Sequence, residues 1–139
     1  MTSRTNFRLR LTAYADIDRF AGEIRTAYIT ETAGQGVVYL EKRAEATLYV
    51  EAFGLVGASA VPGPHLAAEA AEVGQSPFQV AQMILSNANR WLGVVSPALE
   101  ARRVGGKLRV RNATTAEDIV AEHQAAMTAL QLIIADFPL

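Results

Sequence analysis

The sequence predicts an all-α fold, and three observations carry that expectation. Ser76-Pro77-Phe78-Gln79 and Thr114-Thr115-Ala116-Glu117 both have the pattern that opens a helix. A hydroxyl oxygen accepts from a free backbone N–H three residues on, and a Gln or Glu answers back. Apolar residues behind each opening recur at spacings of three and four, the period of one helix face. Glycine and proline fall mostly between these runs, at Gly34 and Gly36, from Gly54 to Pro64, and at Gly74.

The start of the chain is the exception. Phe7, Leu9 and Leu11 alternate with Arg8, Arg10 and Thr12, the period of a strand with one buried face. Phe7 to Leu11 therefore reads as a short strand, and residues 1–13 as either an arm that pairs with another chain or a poorly ordered terminus.

From Tyr14 the period becomes helical. Ile17, Phe20, Ala21, Ile24 and Tyr28 share one face, and Arg19 and Glu23 stand four apart on the other. Gly34 and Gly36 supply a stop. A second helix follows from about Val37 to Phe53, with Leu40, Ala44, Leu48 and Ala52 as its expected inner edge. The link between these helices is short, so they are expected to form an antiparallel hairpin.

A short helix, Leu66 to Val73, ends at Gly74. The stretch from Ser76 to Arg103 organises the rest. Ala81, Ile84, Leu85, Ala88, Leu92, Val95 and Leu99 form its stripe, with Trp91 beside it. Proline is tolerated in the first turn, as at Pro77, but Pro97 removes a backbone donor mid-helix and predicts a kink or restart near Ser96.

Gly105 and Gly106 weaken the continuation by about 1 kcal/mol each against alanine. Beyond them Leu108 and Val110 alternate with Lys107, Arg109 and Arg111. That alternation admits a strand, but a weak helical continuation is favoured. In the final helix Asp118 complements the N-terminus. Ile119, Val120, His123, Met127, Leu130 and Ile134 make its stripe, and Pro138 ends it.

At 139 residues and half hydrophobic, the chain is long enough to bury a core, and we expect one helical domain over 1–139. A net charge of −1 creates no global attraction to nucleic acid or membrane, and the absence of cysteine excludes disulfides and thiolate metal sites. No signal peptide is visible at the N-terminus, and the run from Ala52 to Val61 is about half the ~20 residues of a spanning helix. A soluble protein made in the cytoplasm is expected.

Chemistry is scarce. His65 and His123 lie far apart in sequence, without a metalloprotease-like partner at i+4. His123 is expected to be a partly buried packing residue. No catalytic, cofactor-binding or metal-ligating set can be assembled, and no cofactor is expected. The serines at 59, 76, 86 and 96 lack a nucleophile elbow. Tyr28, Tyr39 and Tyr49 read as packing residues.

The candidate site is a basic strip, Arg102, Arg103, Lys107, Arg109 and Arg111, with no acid between Glu100 and Glu117. It could contact phosphates, a protein surface or only water. No aromatic is interleaved to stack on bases, which weighs against nucleic acid.

Four pieces in order resemble a domain common in predicted tail proteins of bacteriophages and prophages. They are residues 25–30, Gly34-Gln35-Gly36 and Tyr39-Leu40-Glu41-Lys42 with Glu45-Ala46; Leu66 to Ala70 with Gly74; Val80-Ala81, Ile84 and Trp91; and Leu99 to Arg102, Lys107 and Ala113 to Glu117. The resemblance spans roughly Asp16 to Ile119. It departs at Gly105 and Gly106 with their alternating arginines, at Phe7 to Leu11, and beyond Glu122.

The resemblance implies a non-enzymatic tail or tail-fibre assembly protein without catalytic residues. Such a protein is made in the host bacterial cytoplasm and contacts other tail proteins, with a place in the virion tail left open. The matched residues look structural, with Lys42 and Glu45 as a surface pair. The overall expectation is a helical hairpin, a short helix, a long kinked helix and a C-terminal helix. A homo-oligomer is compatible with it, no membrane contact is expected, and a nucleic-acid adaptor using Arg102 to Arg111 is the alternative.

Overall fold

The computed structural model describes residues 2–29 and 35–139, so Gly34 and its expected stop lie outside the described residues. The all-α expectation holds. Six α-helices follow in order: α1 (Thr2–Tyr28), α2 (Gln35–Val56), α3 (Pro64–Val73), α4 (Pro77–Arg90), α5 (Ser96–Asn112) and α6 (Ala116–Asp136). They divide into two compact units. One holds α1, α5 and α6; the other holds α2, α3 and α4.

The first unit is a three-helix bundle. The stretch from Phe7 to Leu11 is not a strand, because α1 begins at Thr2 and runs through it. The alternation from Phe7 to Thr12 is short, and the longer helical period wins. Asn6, Ala13, Ile17, Ala21 and Ile24 are buried on one face of α1, whereas Phe7 and Leu11 are exposed.

Within this unit helix α1 packs on α5 and α6. It runs antiparallel to α5, with Asp18 beside Arg103 and Lys107, and Arg10 beside Ala113. It runs parallel to α6: the Tyr28 hydroxyl donates to the carbonyls of Ile133 and, at 2.5 Å, Phe137.

Helices α5 and α6 approach closely at Gly106, where an added Cβ would stand 2.7 Å from the Ala126 Cβ. The core of the bundle comprises Ile17, Leu99, Val110, Ile119, Leu130 and Ile133 among others, all almost fully buried. The α6 stripe is rotated from the expected one, since Val120 and Ile134 are each 41% exposed while Ala126 and Ile133 are buried. Thr115, one residue later than the first threonine of the expected opening, caps α6 by accepting from the Asp118 N–H at 3.1 Å.

The second unit builds on the Ser76 opening. Its hydroxyl accepts from the Gln79 N–H, and the Gln79 side chain accepts from the Ser76 N–H, both at 3.1 Å. That fixes the start of α4, whose Val80, Ala81, Ile84 and Ala88 are buried. Helix α3 ends at Gly74, which takes the left-handed angle φ 70° that the turn requires.

Of the expected inner edge of α2, Ala52 packs against the core, whereas Leu40, Ala44 and Leu48 face outward. Leu40 and Leu48 are 62% and 67% exposed, while Ala46 and Tyr49 are buried. The aromatic side of α2 supplies the core, with Phe53 stacked on Phe78 at 4.2 Å between centroids and Tyr49 6.1 Å from Phe53.

Pro97 is absorbed as expected, through a π-helical turn at Trp91–Val95 after which α5 restarts at Ser96. Trp91, not Leu92, is buried there, at 8% against 39% exposure. Gly105 and Gly106 do not interrupt α5, which continues to Asn112.

Candidate functional site

The basic strip is the site marked by sequence, and helical geometry disperses it around α5. Arg103 and Lys107 face α1, where Asp18 accepts from them at 2.8 and 2.7 Å; Arg103 also pairs with Glu100 at 2.6 Å. The Lys107 ammonium lies 5.7 Å from the centre of the Tyr14 ring, within the range of a cation–π contact.

Arg102 and Arg109 face α6. Arg102 donates to the Ala129 carbonyl at 2.8 Å and to Asp136 at 2.7 Å, and Arg109 stands 3.4 Å from Glu122. Arg111 alone of the five has no partner among the described residues. Successive cations in a helix point in different directions, so clustering in sequence is not clustering in space.

Charge strength follows from this placement. Asp18 loses hydration by burial, which alone would raise its pKa; hydrogen bonds from Lys107 and Arg103 outweigh that and hold it below the usual value. Glu100 is lowered chiefly by its hydrogen bond with Arg103. Asp18 was missed as a partner of the strip because it lies 85 positions away from Arg103.

The two histidines each meet carboxylates. His123 is partly buried, as expected, and its Nε2 lies 3.1 Å from Asp16. His65 places Nδ1 2.5 Å from Glu45 and Nε2 3.5 Å from Glu41. Glu45 also accepts from the backbone N–H groups of His65 and Leu66 at 2.9 and 3.2 Å, so a side chain of α2 caps the N-terminus of α3.

Lys42 and Glu45 therefore do not pair with each other. Lys42 binds Glu69 at 2.9 Å and Glu45 binds His65. Burial alone would push Glu45 up, but its hydrogen bonds from His65 and Leu66 hold it below the usual carboxylate range. Among the described residues no group of three histidine or carboxylate side chains is arranged to hold a metal ion.

Two surfaces stand out by exposure instead. The outer face of α2 carries Val37, Leu40, Leu48 and Leu55, 61–87% exposed, with Ala44 among them. On α6, Ala116, Glu117, Val120, Ala121 and Gln124 line an open depression of about 430 Å³. Sequence patterning located the α2 leucines and assigned them to the wrong side, because α2 is apolar on both faces.

No protein-family model, curated protein or solved structure matches the chain. Among the described residues no helix is long and apolar enough to cross a membrane.

Proposed function

We propose that the chain is a non-enzymatic structural or assembly protein acting through protein–protein contacts, and that its setting is the tail of a bacteriophage or prophage. The observation that carries the contact role is the outer face of α2, where Val37, Leu40, Leu48 and Leu55 project opposite the buried Ala46 and Tyr49. Leaving such a face in water forgoes about 25 cal/mol for each Å² of apolar surface, and a contiguous exposed apolar patch marks an interaction site.

Its occupant is the apolar face of a second copy of α2. Leu40 and Leu48 stand four residues to either side of Ala44. An antiparallel pairing about Ala44 sets each Leu40 against the partner's Leu48, with the small residue where the helices cross. The residue spacing is self-complementary, as a two-fold interface requires. Other tail proteins would meet the assembled oligomer. The tail setting rests on the sequence resemblance alone, with synthesis in the host cytoplasm.

The basic strip supports the nucleic-acid alternative less well, since four of its five cations are engaged with carboxylates. Light scattering across a concentration series tests the contact role. A dimer that reverts to monomer in Leu40→Ser/Leu48→Ser, with helicity unchanged, supports it; a wild-type monomer at every concentration overturns the assigned occupant. In a lysogen carrying the gene, its deletion is expected to yield particles without complete tails. Normal, infective tails would overturn the setting.

A further inference from the structure

The open end of the α1–α5 seam is a second, chemically different surface, and it does not rest on the reading of α2. The register of this seam is fixed by four contacts. Asp18 meets Arg103, Tyr14 meets Lys107, Arg10 donates to the Ala113 carbonyl at 2.6 Å, and Asn6 donates to that of Thr114 at 3.4 Å. In this antiparallel register Leu11 is level with Arg111, and Phe7 with the start of the α5–α6 link.

Phe7, Leu11, Tyr14 and Asp18 are spaced four, three and four apart, so they line one edge of α1. Arg103, Lys107 and Arg111 line the facing edge of α5 at intervals of four. At one end of the seam this makes a closed ladder of ion pairs. At the other end it runs out of acid, because α1 has no Asp or Glu before Asp16.

The result is an apolar strip with unneutralised cations on both sides. Phe7 and Leu11 are 60% and 50% exposed. Arg4 and Arg8 flank them on α1, Arg111 flanks them on α5, and none of the three has an ion-pair partner among the described residues. The nearby acids of α6 point elsewhere. Asp118, four before Glu122, lies on the side of α6 that faces Arg109, and Glu117, two before Ile119, lies away from its buried face.

We infer that this surface docks an acidic amphipathic helix of a partner protein. Its apolar stripe would cover Phe7 and Leu11, and its flanking carboxylates would meet Arg4, Arg8 and Arg111. Apolar anchors between like-charged rails give both burial and orientation to such a helix. Nucleic acid fits less well. Tyr14 already lies against Lys107, leaving one exposed ring, Phe7, to stack on a base.

The test uses the full chain, labelled for amide NMR, and a synthetic peptide of about 15 residues with leucines at helical spacing between rows of glutamate. Expected are saturable shifts centred on residues 4–11 and 108–115, weakened at least fivefold by Arg8→Glu/Arg111→Glu and by Phe7→Ser/Leu11→Ser. Leu40→Ser/Leu48→Ser should leave the shifts unchanged, which separates this surface from α2. The inference is overturned if the peptide produces no shifts there, if its lysine-for-glutamate counterpart produces the same shifts, or if duplex DNA or anionic vesicles bind the surface more tightly.

Discussion

Glu45 holds His65 at both ends of that residue. One carboxylate oxygen accepts from the backbone N–H at 2.9 Å, and the other lies 2.5 Å from the imidazole Nδ1. The same carboxylate accepts from Leu66, so one side chain on α2 does for α3 what Gly63, its N-cap residue, has no side chain to do. Tertiary capping of this kind ties helix formation in α3 to its packing on α2.

Glu45→Ala should cost about 2 kcal/mol, within the range for losing a helix cap and charge-assisted hydrogen bonds. Glu45→Gln keeps an acceptor for the backbone and should cost about half as much. Urea unfolding followed by the fluorescence of Trp91 measures both. Gly63→Ala should resemble Glu45→Ala, because its new Cβ would collide with the Glu45 carboxylate.

The acid limb gives a separate expectation. The Glu45 carboxyl titrates lower in the fold than in the unfolded chain. Its stabilising contribution is complete above the unfolded value and disappears as pH falls through the folded one. Stability of wild type should therefore decline below about pH 4.5, and Glu45→Gln should flatten that decline. An unchanged acid slope in the variant would remove Glu45 as its source.

Asp18 bridges Arg103 and Lys107 across the α1–α5 seam. It remains 45% exposed, so solvent screens both pairs and their worth is modest. Asp18→Asn should cost about 1 kcal/mol at low salt and distinctly less in 1 M salt. Because its pKa is lowered in the fold, the loss should shrink as pH falls below the ordinary carboxylate range, where wild type forfeits the same interaction. Thermal unfolding by circular dichroism at two salt concentrations checks this.

Local signals were the legible part of the sequence. Ser76 and Gln79 specify a helix start through atoms three residues apart, and Gly74 specifies a stop through its own backbone angle, so neither depends on distant partners. What was not legible depends on faces meeting. Leu40 and Leu48 have the period of a buried edge, yet Ala46, Tyr49 and Phe53 have it too, and the stacking of Phe53 on Phe78 decides between them. The strip from Arg102 to Arg111 was visible as composition, but its neutralisation by Asp18, Glu122 and Asp136 requires the bundle.

Ser76 offers a direct test of the local part. Ser76→Ala removes the acceptor for the Gln79 N–H while leaving the buried face of α4 untouched. The expected loss is about 1 kcal/mol, measurable by urea unfolding. Restoration by Ser76→Asp, and a smaller loss for Ser76→Gly, would identify capping as the cause.

Gly105 and Gly106 look equivalent in sequence and should behave oppositely. At Gly105 an added Cβ would meet only the far end of the Arg109 side chain, at 3.2 Å, and that end can move. Gly105→Ala should therefore stabilise by up to about 1 kcal/mol through helix propensity. At Gly106 the Cβ would stand 2.7 Å from the Ala126 Cβ, on the backbone of a packed helix. Gly106→Ala gains the same propensity but forces α5 and α6 apart, an overpacking cost of about 1–3 kcal/mol. The net effect should be a lower melting temperature, and Ala126→Gly should recover part of it by vacating the contact. If both alanine variants melt above wild type, α5 and α6 do not touch at Gly106.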